Sequence, residues 1–337
     1  MKSSMSKILI ETVTRKTIRD MKESPERSIR NLIDMGLLFS EGRFQKHLLQ
    51  TVQTMLMNES SAYYGLIKNI VRNVEEERLL NFCMNLGYNS CTLGAATIRR
   101  YEEEKGYNIP WNIFFEYERE QFCSYRNRYY KLINEGENLG IFTYMIKVED
   151  GPPSDLLPMI AEYPDSVFFL FCEGKYITDK FVTELASYTN IMFLIKCDAT
   201  CQDRCWMLRE RELLYGIYYT YTDNDLKDIE SGLYWMKAEE MNAVATVLIA
   251  DKKCSKETFD IVSEHITRER FLQKYQTIEW ELYHDNCFID EVISDDACFV
   301  YFDKNGKLCG PVGEKKQEEN NLYHNPLQNI LMRVYPK

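Results

Sequence analysis

The spacing of apolar residues along this chain changes period near residue 107, and the change separates two kinds of structure. Before it, apolar positions recur at helical intervals. Phe44, Leu48, Val52 and Leu56 repeat every fourth residue, and Tyr63, Leu66, Ile67, Ile70, Val71 and Val74 continue the stripe. Ile29, Leu32 and Ile33 share a face behind Ser24-Pro25, an N-cap followed by proline in the first helical position. Gly87 and Gly106 fall where left-handed C-caps would end helices. Residues 1–106 are therefore expected to form an amphipathic helical region.

Beyond Tyr107, short runs rich in β-branched and aromatic residues alternate with segments of helical period. The pattern predicts strands over Trp111–Tyr117, Ile141–Val148, Ser166–Cys172, Ile191–Cys197, Gly216–Tyr221, Ala243–Ala250 and Thr277–Tyr283. Helices are expected over Asp155–Glu162, Thr178–Tyr188, Asp228–Met241 and Lys256–Phe271. Strands separated by helices imply βαβ units and a parallel sheet, hence an α/β fold: a partial (β/α) barrel over 107–312, with a doubly wound open sheet as the competing arrangement. Cys298–Asp303 and Lys307–Gly310 flank Asn305-Gly306, which predicts a C-terminal hairpin with a type I′ turn. Residues 313–337 read as a polar linker (Gly313 to Asn321) and a short docking helix carrying Leu327, Ile330, Leu331 and Val334 on one face.

Composition narrows the classes. A formal net charge of -11 repels phosphate backbones, so nucleic-acid binding would need a local basic patch. Arg15, Lys16, Arg19, Lys22, Arg27 and Arg30 cluster, but acidic residues are interleaved among them, and the cluster reads as a solvated helix face. No run is long and apolar enough for a membrane span, and no secretory signal is visible, so a soluble cytoplasmic protein is expected. Eleven cysteines in a reducing compartment are expected as thiols, with metal or cluster ligation depending on spacing.

Cys197, Cys201 and Cys205 form C-x3-C-x3-C, and on a helix positions four apart would bring the thiols to one face. Buried reduced thiols are one reading, and ligation of a relocated iron–sulfur cluster or another metal is the alternative. Glu149, Asp150, Glu173, Asp198, Asp223 and Asp251 lie at the predicted C-terminal ends of strands, where βα-barrels place their ligands. Carboxylates gathered there could bind a cation or an amine, and each could equally cap the following helix. Tyr215, Tyr218, Tyr219 and Tyr221 lack basic interleaving and read as core. No catalytic triad, zinc-protease, P-loop or dinucleotide-binding signature occurs.

Several phrases resemble radical-SAM proteins. GYNSCTLGAATIRRYEEEKGYNIPW (87–111) looks like the lead-in to their first barrel strand, and DSVFFLFCEGKYITDKFVTELA (165–186) is similar to their strand–turn–helix. YGIYYTYTDNDLKDI (215–229) resembles their fifth strand and loop, and FVYFDKNGKLCGP (299–311) their late hairpin. The resemblance covers about two thirds of the chain and implies a [4Fe–4S] cluster and S-adenosylmethionine held at the barrel mouth.

The departures fall on those cofactor motifs. The family's CxxxCxxC after the first strand is replaced by FFEYEREQFCSYRNRYYKL, which holds only Cys123. Where the family has GGEP after the second strand, this chain has Lys147, Val148, Glu149 and Asp150. One thiolate cannot hold a cubane, so radical chemistry is expected to be lost. Cys287, Cys298 and Cys309 resemble auxiliary-cluster cysteines in position only, with no cysteine downstream. The expectation is a pseudoenzyme without cofactor, acting as a binding or partner subunit toward a protein or peptide. The alternatives are an enzyme of another class using carboxylates or thiols at the rim, and an iron–sulfur protein with relocated ligands.

Overall fold

Alternation of strand and helix begins at residue 112 and keeps one direction until the last hairpin. The computed structural model describes residues 2–40, 43–310 and 319–337. Its strands are β1 (Asn112–Glu118), β2 (Thr143–Asp150), β3 (Val167–Cys172), β4 (Ile191–Lys196), β5 (Tyr215–Tyr221), β6 (Ala245–Ala250), β7 (Ile278–Glu281), β8 (Val300–Phe302) and β9 (Leu308–Cys309). The first helices are α1 (Lys2–Met21), α2 (Pro25–Phe39), α3 (Arg43–Met55), α4 (Tyr63–Asn73), α5 (Glu76–Cys83) and α6 (Ala95–Lys105). Between and after the strands come α7 (Arg119–Leu139), α8 (Leu157–Glu162), α9 (Asp179–Glu184), α10 (Cys201–Glu210), α11 (Leu226–Glu230), α12 (Leu233–Glu240), α13 (Lys256–Leu272), α14 (Leu282–Ser294) and α15 (Leu327–Val334).

Strand order is β7-β6-β5-β4-β3-β2-β1-β8-β9. From β1 to β7 each strand pairs in parallel with its successor, so the winding contains no reversal in which a doubly wound sheet would bind its ligand. The sheet curls into a half-barrel. β8 then pairs in parallel with the opposite edge of β1, and β9 returns antiparallel to β8. That jump explains α14. The chain must cross from the β7 edge to the β1 edge, and α14 does so over the concave face, where Asn286 meets the Asn112 amide (2.6 Å) and the Met145 sulfur (3.7 Å).

One continuous hydrophobic core joins Ile18, Phe44 and Leu66 of the helical region to Ile113, Phe168 and Leu248 of the sheet. The helices reach the base of the half-barrel through an unusual element. Residues Met84–Gly94 wind as a π-helix continuous with α5 and α6, a geometry normally confined to single turns. It presents neutral amides to the starts of the strands. Asn85 Nδ2 donates to the Pro164 and Ser166 carbonyls (2.8 and 3.1 Å), Asn89 Nδ2 to the Asp165 carbonyl (2.8 Å), and Ser90 meets the Thr143 hydroxyl (2.8 Å). Gly94 follows because a Cβ there would run into the carbonyl of Gly140, the left-handed C-cap of α7.

The structure corrects several expectations and bears out others. Gly87 lies inside the π-helix and ends nothing, whereas Gly106 does cap α6 with φ 72°. Ser24 precedes Pro25 at the start of α2, but its side chain makes no cap hydrogen bond. Asp228–Met241 is two helices broken at Gly232, whose φ is 79°. The hairpin between β8 and β9 is present, yet its turn is not type I′. Only Gly306 adopts positive φ, Gly306 N–H donates to the Asp303 carbonyl (2.8 Å), and the Lys307 carbonyl accepts from Asp303 N–H. The basic cluster is a solvated face as expected, with Arg19 62% and Lys22 47% exposed, and Arg15, Arg19 and Lys22 also pair with Glu76 and Glu77 of α5. α15 docks as expected, with Leu327, Ile330 and Leu331 buried. Most of the expected polar linker, residues 313–318, lies outside the described residues. Among the described residues no helix is long and apolar enough to cross a membrane.

Candidate functional site at the barrel mouth

Alternation along the strands decides which side chains line the concavity. Register places Tyr301, Phe114, Met145 and Phe169 in one layer. Glu116, Lys147, Phe171 and Leu194 occupy the layer above, and Lys196 lies beside Tyr218 toward the C-terminal ends. Phe114 packs edge-on to Phe171 (5.9 Å between centroids) and against Tyr301 (4.9 Å), while Phe171 meets Tyr218 (5.5 Å). Phe299 and Tyr283 complete the group from the β8 side, 5.2 Å apart. All six rings are buried. The concave face is thus filled by an aromatic plug, each ring burying area and gaining about 0.5–1.5 kcal/mol from its edge contacts.

Polar groups close over the plug. Glu116, only 8% exposed, accepts hydrogen bonds from the Tyr301 hydroxyl and the Lys304 backbone N–H (3.0 Å). Burial, reinforced by the Glu116 charge, pushes the Tyr301 phenol far above its ordinary value. Lys147 pairs with Glu149, Lys196 with Glu173 (3.1 Å), Lys175 with Glu173 (2.7 Å) and Lys304 with Glu118 (2.9 Å). The two lysine contacts hold the Glu173 carboxyl below its usual range. Tyr218 is raised by burial and by the charges of nearby groups, Glu149 and Glu173 among them, so its phenol stays protonated.

A second polar group sits where β7 enters α14. Glu281 is fully buried, caps α14 by accepting from His284 N–H (2.7 Å), and receives the Tyr221 hydroxyl (3.3 Å). Burial pushes its carboxyl up to about 8. Glu279 on the same strand is pushed up to about 7, again chiefly by burial, and accepts from Tyr63 of α4 (2.6 Å).

The acidic residues singled out in the sequence do not act as one set. Glu149 and Glu173 stand over the mouth with their lysines. Asp150 lies 3.4 Å from the Tyr176 hydroxyl at the rim. Asp198 accepts from Thr200 N–H (2.8 Å) and Thr200 Oγ1 (2.7 Å) just before α10, so it shapes that helix entry. Asp223 ties two loops by accepting from Ser255 N–H (2.8 Å), and Asp251 holds its own turn through Lys253 N–H (2.9 Å). Glu116, Lys196 and Glu281 were missed. For Glu116 the signal was present as a charge between aromatics within a strand (FFEYE), where a buried carboxylate needs a partner; Lys196 and Glu281 end apolar strands (IMFLIK, IEWE).

The cofactor positions implied by the family likeness do not fit an iron–sulfur cluster. β1 ends at Glu118 and α7 starts at Arg119, so no loop is left to wrap around a cubane, and Cys123 is exposed on the helix. α7 was not among the helices singled out by the sequence pattern. It bends at Tyr125 (φ −119°, ψ 25°), whose ring stacks on Tyr323 at 4.1 Å, and a shallow cavity of ≈ 350 Å³ lies along Cys123–Arg128. Lys147, Val148, Glu149 and Asp150 fall within β2, the first two in register with Glu116 and Tyr117. Lys147 is paired on both sides, whereas Val148 and Asp150 pair only with β1 and Glu149 falls at a register shift.

No cysteine is in a disulfide. Cys197 ends up just beyond β4, and only Cys201 and Cys205 share α10, with their sulfurs 3.9 Å apart. Cys298 lies near Asp290 and Glu102 ahead of β8, and Cys309 pairs opposite Tyr301. Among the described residues no group of three or more His, Cys, Asp or Glu side chains is arranged to hold a metal ion. No protein-family model matches the chain, and no curated protein matches its sequence.

Proposed function

We propose that this chain is a radical-SAM-like half-barrel without the cluster, working as a binding or partner subunit toward a protein or peptide. One observation carries the reading: the strand that should open into a cysteine loop runs directly into α7, leaving Cys123 alone on an exposed helical face. The mouth supports it in a second way. Phe114, Phe171, Tyr218 and Tyr301 occupy the space in which a substrate would meet a cofactor, and Glu116 with Lys304 seals them. What remains outward is a rim of lysine–glutamate pairs. Such pairs contribute little to stability, about 0–1 kcal/mol each, so exchanging them for a partner's charges costs little.

The test has two arms. Anaerobic reconstitution of the full chain with iron, sulfide and S-adenosylmethionine should leave less than stoichiometric iron and release no 5′-deoxyadenosine. Photocrosslinkers placed at Lys175 and Asp150 on the rim should capture a co-expressed partner that a crosslinker at Lys180 does not. A brown product carrying a four-iron cluster and cleaving S-adenosylmethionine refutes the first half. Equal labelling from the rim positions and from Lys180, or no labelling from the rim, refutes the second.

A further inference from the structure

α10 starts at Cys201 and presents Cys205 one turn later, both 1% exposed. Two adjacent buried thiols could simply pack as small hydrophobes. Their neighbours argue otherwise. The Tyr219 hydroxyl lies against the Cys197 thiol and is buried without a nitrogen or oxygen partner. On α10 itself, Arg209 Nη1 is a buried N–H donor with no acceptor. Each unmade bond of this kind costs about 1–3 kcal/mol, more when the donor is charged. Arg209, one turn beyond Cys205 on α10 and beside the Tyr215 hydroxyl, is the buried donor that can answer negative charge on the sulfurs.

We propose that Cys201 and Cys205 form a site for a soft monovalent metal ion of the Cu(I) class, held between two thiolates, with half-buried Cys197 as the entry sulfur. Soft thiolates select such ions over hard divalent cations. The 3.9 Å sulfur separation needs only a small opening to seat an ion between them. The step balances as one monovalent cation plus two thiols giving an anionic bis-thiolate and two protons. Arg209, which also approaches the Tyr215 hydroxyl next to Cys205, offsets the resulting single negative charge. This site lies between the sheet and α10, away from the mouth, and is independent of the function proposed above.

Silver(I), which is redox-inert, is the probe. The reduced full-length chain, titrated anaerobically against a competing thiol chelator, should retain one silver ion and release two protons. Apparent affinity should then rise about 100-fold per pH unit at neutral pH. Cys201→Ser and Cys205→Ser should each weaken retention at least about 100-fold, whereas Cys83→Ser and Cys123→Ser, at exposed thiols, should leave it unchanged. If a serine variant fails to fold, the proton count and the silver-induced rise in melting temperature of the unmodified chain decide. Silver spread over several thiols with no chelator-resistant equivalent, release of fewer than two protons, or full retention by both folded serine variants overturns the proposal.

Discussion

The two ends of the half-barrel are closed by different chemistry. At the base, a π-helix offers neutral amides and hydroxyls, and Asn85, Asn89 and Asn190 give their N–H groups to carbonyls at the starts of the strands. At the mouth, aromatic rings fill the concavity and carboxylates, phenols and ammonium groups cover them. Neutral hydrogen bonds fix geometry at any pH. Charged ones respond to pH, salt and visiting ions. The amide contacts of the base are therefore built to stay, beside the carboxyl groups of Glu137 on the Ser166 hydroxyl and Asp290 on Trp111 N–H, and the mouth to be adjusted.

Substitutions test that contrast. The largest effect should come from the plug: Phe171→Ala removes a ring that is 1% exposed and touches both Phe114 and Tyr218, and should cost about 3–5 kcal/mol in urea unfolding. Next is Glu281. Its carboxyl is raised from 4.5 to about 8 by burial, so the folded state holds a proton that the unfolded chain releases. That contribution is complete below about pH 4.5 and is lost as pH rises through about 8, a decline on the order of 2–4 kcal/mol. Glu281→Gln should flatten the stability curve across this window; an unchanged slope would place the proton elsewhere. At the base, Asn85→Ala should cost about 1–3 kcal/mol by stranding the Pro164 carbonyl and removing the acceptor of Asn89 Nδ2, while the Ser166 carbonyl keeps Asn190, with no pH dependence. Smallest is Lys196→Gln, below about 1 kcal/mol and vanishing in high salt, because the lysine side chain is 43% exposed. If Lys196→Gln proved costlier than Asn85→Ala, the division between a fixed base and an adjustable mouth would fail.

Much of the architecture was legible in the chain, for reasons that also explain the gaps. Buried strands such as VFFLFC and IMFLIK announce themselves as continuous apolar runs, and the structure places them within a residue or two of expectation. α7 was hidden because charged and aromatic residues alternate without a clean stripe in REQFCSYRNRYYKLINEGENL. The π-helix was hidden because Asn85, Asn89 and Ser90 are buried beside Met84 and Tyr88, so apolar residues alone do not trace its buried face. Rim carboxylates were identified by type and position, but sequence could not tell Glu173, held between two lysines, from Asp198, spent on a helix entry. Nor could it show that the cavity expected beneath them is full of rings.

The late pairing of β8 with β1 has a consequence for assembly. Ile113 finds its neighbour Val300 only after β2 through β7 and α14 have been made. The first seven strands add one beside the next at short range, so most of the sheet forms through cheap local closures. The concave surface stays uncovered until α14 crosses it and β8 docks. A ribosome-bound chain halted near residue 281 should therefore expose its inner rings to chaperones, and release of the final segment should be the slow, committing event of folding.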